Sequence, residues 1–534
     1  MKIKREFEGD GCHLKLRNVC RRCTFWHSQA FRRTALPRIT IARLSLTVFC
    51  AERKVLFGTL ALTAASVLKL GLQVAVLPIL ARLLGPSAYG LVALALPLIF
   101  LATMVSDAGL GNALVRERDS SRELESTIFW CALGTAFALA GLVALLAEPI
   151  SRLMSEPKLT PILIALTPIL PLGGSLAVAN ARISRERRFG IFAIGETIAT
   201  LVSLAAGIGA ALAGLGVWSL VIQQLLLWSI KVCWLVPASG FRPLAVCKPS
   251  LAWPHLNFGL NSVAAGLTDT ASKSLQPIII GALIGIAAVG HYSMAYQIVR
   301  VPEMIVGGPI CLSIFASVAQ WGDDRIGARP LALRALRGLV TLLAPLFCGL
   351  GLVADLAVKV LLGPAWDATG PILTLLAPAG FFLCVFAFIG AMLLGLGRSQ
   401  DQFRLMVLNG CLLAAGTVLG ARGGAEGVAA GFSIGAALAA PAYVFVLAKQ
   451  LSTPVHVIVR DAFYPLVATL AMAVVVSALL YRLPPWDPLL QLTVLVLCGA
   501  VSFSLVLGAI SGPRLWQDLR WLLRSRGNAT AEAP

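Results

Sequence analysis

The chain has 534 residues, 58% of them hydrophobic and 13% charged, with a mean hydropathy of +0.85. Soluble domains carry about 25% charged residues; a water-soluble fold has no interior large enough for this much apolar side chain, so the composition specifies a polytopic membrane protein. A net charge of +19 would suggest nucleic acid in a soluble chain, but here Lys and Arg crowd short loops and the two termini, where they set topology, and a nucleic-acid partner is excluded.

Residues 1–54 form a basic extension without a clean apolar stretch, since Arg43 interrupts it, so a cleaved signal peptide is not expected. The extension reads as a disordered cytoplasmic arm or as sequence ahead of the natural start. Cys20 and Cys23, with Cys12, His13 and His27 nearby, lack the second ligand pair of a zinc site. No metal and no cofactor is expected. The other cysteines mostly stand singly in apolar runs, as small hydrophobes.

A helix of about 20 apolar residues crosses a bilayer. Fourteen such runs follow, near 55–80, 88–112, 126–147, 160–181, 191–213, 217–238, 256–284, 287–318, 336–358, 371–396, 405–421, 427–448, 461–481 and 489–511. With the N-terminus inside, the cytoplasmic segments together hold most of the Lys and Arg and the outer loops hold few, which places both termini in the cytoplasm. The loops are too short to form a domain.

The spans repeat. Ala81 to Gly90 (ARLLGPSAYG) returns as Gly281 to Gly290 (GALIGIAAVG), with identity at Leu83/Leu283, Gly85/Gly285, Ala88/Ala288 and Gly90/Gly290. Ala147 to Met154 matches Ala354 to Leu361, which puts Glu148 on Asp355 and Arg152 on Lys359. Pro161 to Pro168 matches Pro371 to Pro378, and Gly216-Val217 matches Gly427-Val428. Spans 1–6 (residues 55–248) and 7–12 (residues 249–448) are therefore parallel copies, because six spans return the chain to its starting side. Spans 13 and 14 (residues 449–511) and a cytoplasmic tail (residues 512–534) lie outside the repeat. The expected fold is all-α, with two six-helix lobes and two extra C-terminal helices.

A charge at the middle of a span costs about 2.5–3.5 kcal/mol on insertion scales, so it usually faces a cavity or a partner. Lys69 lies in span 1, Asp269 and Lys273 in span 7, and Arg300 in span 8. Each also has a structural reading. Asp269 and Lys273 have the i,i+4 spacing of an intrahelical pair. Lys69 could pair with an acid across the lobes, and Arg300 could bond carbonyls freed by Pro302. Lys231 lies near a span end and is expected to snorkel, and Asp107 is expected to pack or cap. The in-span charge is net cationic and is accompanied by amides such as Gln276 and Gln297. Such a lining suits a sugar and an anion such as diphosphate. Asp269, Asp107 and Glu196 are the acids available for ion coupling.

Ala81 to Glu117, with Ala81, Arg82, Leu84, Pro86, Tyr89, Gly90 to Ala93 and Ser106 to Leu110, resembles the polysaccharide transporter family of O-antigen and exopolysaccharide flippases. Gly290 to Glu303 (GHYSMAYQIVRVPE), Leu362 to Trp366 (LGPAW) and Ala213 to Val221 fit the same family. The resemblance covers residues 55–510. It implies the multidrug/oligosaccharidyl-lipid/polysaccharide exporter fold, two lobes in a V around a central cavity, in the bacterial inner membrane. It further implies transfer of undecaprenyl-diphosphate-linked oligosaccharide between leaflets as the lobes rock. Lys69, Asp269, Lys273, Arg300, Gln276 and Gln297 would line the cavity or gate, and Asp107, in the S-D-x-G-L motif, would serve structure or coupling. A polysaccharide polymerase and a chain-length regulator are the implied protein partners, beside membrane lipid. A lipid II flippase and a multidrug cation antiporter of the same fold are the alternatives, and the cationic spans disfavour the antiporter. An enzyme is disfavoured because no large loop or catalytic motif is present.

Overall fold

The computed structural model describes residues 38–106, 121–248, 276–319 and 325–529 apart from positions 187, 483 and 485, with a few isolated residues between these stretches. The chain divides into two compact units, Met1–Leu60 and Ala61–Pro534. The architecture below is that of the second. The cysteine and histidine cluster of the basic extension lies outside the described residues, as do Asp107, Asp269 and Lys273.

Among the described residues the fold is all-helical. The N-terminal half contains α1 (Arg38–Ser106), α2 (Arg122–Leu153), α3 (Leu159–Leu166), α4 (Ile169–Arg185), α5 (Phe189–Leu212) and α6 (Trp218–Ala238). The C-terminal half contains α7 (Ile286–Pro302), a π-turn (Glu303–Gly307), α8 (Gly308–Ala319), α9 (Arg325–Leu352), α10 (Ala354–Leu361), α11 (Thr369–Gly395), α12 (Ser399–Gly420), α13 (Gly424–Gln450), α14 (Val455–Arg482) and α15 (Pro488–Ala529).

Eleven described stretches are long and apolar enough to cross a membrane, and the protein is a multi-pass membrane protein. Two of the eleven are compound. Leu68–Ser106 has 39 residues, about 58 Å of helix at 1.5 Å per residue, far more than a hydrocarbon core of about 30 Å. It is broken at Gly85, whose φ of 73° and ψ of 174° no helix contains, so the first two predicted spans occupy its two arms. Ser399–Gln450 likewise holds both α12 and α13. Predicted spans 1 to 6 and 8 to 14 each fall on described helix. The seventh, 256–284, lies mostly outside the described residues.

Two spans differ from expectation. The fourth is split into α3 and α4 at Thr167-Pro168; proline has no N–H to continue the helical ladder. The ninth was expected to reach residue 358 but stops at Leu352. The residues after it form a separate amphipathic helix, α10, with Asp355 in its first turn and Lys359 in its last, which favours the membrane surface over its interior.

The helices turn apolar faces outward. Only 17% of the apolar window of Arg122–Leu153 is buried, and Leu145 and Phe137 are 77% and 60% exposed. Water penalises such surface, whereas lipid does not; the bilayer is the solvent that makes this packing stable. Inside, α5 packs on α6 and α2 on α4, while α11 and α12 pack on α13 and α9 packs on α11 and α14. Without a hydrophobic drive between helices in lipid, close backbone approach through small residues holds them together. The pair α12/α13 does this with glycine. A Cβ on Gly416 would stand 2.1 Å from the Gly431 carbonyl oxygen, and one on Gly420 would stand 2.1 Å from that of Gly427.

Gly431→Ala is accordingly expected to force α12 and α13 apart, at the roughly 1–3 kcal/mol typical of overpacking. Ile434→Ala, on the same helix but 58% exposed, is expected to be neutral. Thermal unfolding of both variants in detergent checks this pair of expectations.

Candidate functional site

In the N-terminal half, α1, α5 and α6 bring Lys69, Glu196 and Lys231 together. Lys69 Nζ lies 2.8 Å from Glu196 Oε2, and Lys231 Nζ lies 2.6 Å from Glu196 Oε1. One carboxylate thus bridges two ammonium groups, each oxygen accepting from one lysine, and the cluster keeps a net charge of +1. Lys231 Nζ also stands 5.4 Å from the Trp228 ring centroid, where the negative ring face offsets part of its lost hydration. Glu196 and Lys231 are mostly buried, whereas the Lys69 side chain is 32% exposed.

Two expectations change here. Lys231 does not snorkel to the membrane surface: an in-span carboxylate close enough for an ion pair is a better partner than a detour to water. Lys69 pairs with an acid, but within its own half of the chain. Glu196 was one of three unranked acids in the sequence; its spacing from Lys69 (|i−j| = 127) leaves no local signal.

On the C-terminal side, α7 presents Gln297 and Arg300 on one exposed face, three residues apart. Gln276 is buried, 3% exposed. The described residues therefore place Lys69 in the N-terminal cluster and Gln297 with Arg300 on α7.

The halves meet at the two repeated turns. A Cβ on Gly90 would lie 2.0 Å from the Ile286 carbonyl oxygen, and one on Gly290 would lie 1.9 Å from that of Pro86. Gly90 is the repeat counterpart of Gly290, and Pro86 that of Ile286, so the contact is reciprocal, as a two-fold arrangement requires. Both turns contain a glycine with positive φ, Gly85 at 73° and Gly285 at 117°, a conformation that side chains strain. Around this seam, Arg82 Nε donates to the Leu361 carbonyl at 3.0 Å and its Nη2 donates to that of Val360. The guanidinium thereby satisfies the free carbonyls at the C-terminus of α10 and meets the negative end of its dipole. Trp366, fully buried, donates from Nε1 to the Ala81 carbonyl at 3.0 Å and packs edge-on against Tyr89 at 5.6 Å. His291 Nδ1 lies 2.8 Å from Thr369 Oγ1, with its ring 5.6 Å from that of Trp366. Three motifs separated in sequence, ARLLGPSAYG, GHY and LGPAW, thus form one junction.

A multi-pass helical membrane protein with duplicated turns meeting across its two halves belongs to a recognisable structural class. The fold is shared with the lipid II flippase MurJ in an inward closed conformation, with a TM-score of 0.72 at 13% identity, over 86% of this chain and all of that one. It is also shared with an inward-facing multidrug resistance MATE transporter of the MOP superfamily, with a TM-score of 0.57 at 15% identity, over 72% of this chain and 94% of that one. The family model described as "Polysaccharide biosynthesis protein" matches residues 79–371, and the chain belongs to that family. Relatives include the succinoglycan biosynthesis transport protein ExoT of Rhizobium meliloti, 26% identical over 82% of this chain and 89% of its own length. The lipopolysaccharide biosynthesis protein WzxC of Escherichia coli is 25% identical over 69% and 75%.

Removing Glu196 and removing Lys69 are expected to differ. Glu196→Ala strands two ammonium groups inside the membrane, a loss of the order of 3 kcal/mol for a largely buried pair. Lys69→Ala leaves the neutral Glu196–Lys231 pair intact and costs less. The midpoints of thermal unfolding in detergent test the order, and equal midpoints would contradict it.

Proposed function

We propose that the protein is an exporter that moves undecaprenyl-diphosphate-linked oligosaccharide from the cytoplasmic to the outer leaflet of the bacterial inner membrane, for synthesis of a surface polysaccharide. The observation that carries this reading is the reciprocal seam of Gly90 and Gly290 together with net-cationic groups set inside the spans. The seam is a contact that two lobes can make and break, and the cations suit an anionic headgroup travelling between them.

The full reading has fourteen spans, with residues 256–284 supplying the seventh. Residues 55–248 and 249–448 form two lobes in a V, residues 449–511 add two helices, and both termini, including residues 1–54 and 512–534, are cytoplasmic. Charge distribution then places the seam on the outer face. Sugars ride in the cavity between the lobes while the lipid tail stays in the bilayer. Lys69 and Arg300 hold the diphosphate, with Asp269 and Lys273 beside them and the amides of Gln276 and Gln297 toward the sugar; Asp107 orders its motif. Lys69 exchanges part of its pairing with Glu196 for phosphate oxygen, which its exposure permits. The action is transport without catalysis, and a polymerase and a chain-length regulator act on the product.

The names of the relatives ExoT and WzxC support a polysaccharide substrate. The likeness to MurJ concerns fold. A cation antiporter is disfavoured because one carboxylate between two lysines leaves the N-terminal cluster positive.

In a deletion strain carrying the gene on a plasmid, Lys69→Ala and Arg300→Ala are expected to lower surface polymer to about a tenth or less, as loss of one charge-assisted contact of about 1.5–3 kcal/mol implies. Unchanged polymer at wild-type protein level removes that residue from the site. Gly90→Val and Gly290→Val are each expected to wedge the seam apart. The check is greater labelling of a cysteine placed at Ala288 by an impermeant maleimide, together with loss of polymer.

A further inference from the structure

Residues 241–248 follow α6 and lead toward the C-terminal half. Their backbone is not helical, so its polar groups need partners other than a helical ladder. The start of α2 supplies them. Leu244 N donates to Ser126 Oγ at 3.0 Å, and Lys248 N donates to Thr127 Oγ1 at 3.1 Å. Trp130 Nε1 donates to the Leu244 carbonyl at 2.8 Å. Phe241 is buried and packs on Phe129, with ring centroids 5.5 Å apart. Lys248 Nζ lies 2.9 Å from Glu123 Oε2.

These contacts hold the segment along the first turns of α2, and they bring two cysteines together. Cys131 directly follows Trp130, and Cys247 directly precedes Lys248, so each thiol stands beside a residue that is tied across the contact. The two thiols hydrogen-bond each other. Cys131 is half-buried and Cys247 is exposed. A cysteine that serves as a small hydrophobe is covered; Cys247 instead stands next to an ion pair that is itself exposed. The acids in the first turn of α2 are both matched, Glu123 by Lys248 and Glu125 by Arg182 and Arg185. Neither is left as a lone negative charge opposing ionisation of the nearby thiol.

We infer that Cys131 and Cys247 are a redox-active dithiol, which hydrogen peroxide closes to a disulfide that staples residues 241–248 to α2. Cys247, the accessible thiol, loses its proton and attacks one peroxide oxygen as thiolate. The O–O bond breaks, hydroxide leaves and takes up the released proton as water, and Cys247 becomes a sulfenic acid. The Cys131 sulfur then attacks the sulfenic sulfur. The S–O bond breaks, the hydroxyl leaves with the Cys131 proton as a second water, and the S–S bond forms. Two thiols are oxidised and one peroxide is reduced to two waters. A small dithiol reverses the step by exchange. Among the described residues no group of three or more His, Cys, Asp or Glu side chains could hold a metal ion, so the pair fits redox chemistry better than a metal centre.

The disulfide joins positions that the backbone already holds together, so it needs little rearrangement. What it removes is the freedom of the segment to part from α2. On the exporter reading, this segment leads from one lobe to the other on the cytoplasmic face, where thiols rest reduced and disulfides are transient signals. Closing the dithiol then restrains the rocking of the lobes while peroxide is present. That consequence rests on the exporter reading; the dithiol itself does not.

The test uses the purified full-length chain, reduced, treated with hydrogen peroxide, alkylated, digested and mapped by mass spectrometry, which separates this pair from the other cysteines. A peptide pair linked through Cys131 and Cys247 is expected in the wild type. It is expected to be lost after dithiothreitol, and lost in Cys131→Ser and in Cys247→Ser. If a serine variant does not elute as a folded species, the wild-type map decides alone. No linked pair in the wild type, or either cysteine linked mainly to a different one, overturns the assignment. Surface polymer in the complemented deletion strain is measured after a peroxide pulse. A reversible fall is expected with the wild type and is expected to be lost with Cys247→Ser. A linked pair with undiminished polymer overturns the control of export and upholds the dithiol. A wild-type gene that restores no polymer even without peroxide counts against the exporter reading and leaves the peptide map to decide the dithiol.

Discussion

Backbone meets backbone at Gly90 and Gly290 with room for hydrogen and nothing larger. The described side-chain hydrogen bonds between the two turns and α10 gather around that approach. The glycines let the turns interlock, which brings Arg82 to the carbonyl end of α10 and seats the Trp366 indole on the Ala81 carbonyl. These bonds are mostly from side chain to backbone, so they depend on the course of the chain more than on the identity of a partner side chain. The same device, glycine against a carbonyl oxygen, holds α12 on α13. In a bilayer this is expected physics. Lipid removes the hydrophobic drive for helix association and leaves close packing and hydrogen bonds to do the work.

The charges inside the spans follow a second constraint. An ion in the membrane needs a counter-ion or a role. Arg337 on α9 has found one, in Asp461 of α14 at 2.8 Å. The N-terminal cluster is only partly satisfied, with two lysines sharing one carboxylate, and Glu303 has no ion-pair partner among the described residues. Incomplete pairing is what separates these groups from charges such as Arg337 that fasten one helix to another. The membrane makes the difference visible, because an unpaired charge that water would tolerate must be accounted for in lipid.

The duplication gives both constraints a common geometry. Equivalent turns pack on one another, Gly90 on Ile286 and Gly290 on Pro86. Among the described residues the electrostatics are not duplicated: the N-terminal half holds a triad of two lysines and one glutamate, and the C-terminal half holds Glu303 without an ion-pair partner in an aromatic-walled cavity.

The sequence by itself determined the membrane class, the position of most spans, the repeat and the family. These rest on hydropathy over about 20 residues, on loop charge and on local motifs, all written along the chain. The breaks at Thr167-Pro168 and at Leu352 were less legible, because an apolar run does not record where a helix pauses or turns onto the membrane surface. The partners of the charges were not legible. Lys69, Lys231 and Glu196 meet from three helices, and Glu303, within a recognised motif, became notable only when the structure showed a cavity around it and no cation beside it among the described residues. The turns could be seen to repeat, but not to touch. Contacts of that kind are set by how helices far apart in sequence pack in three dimensions, and only the tertiary structure decided them.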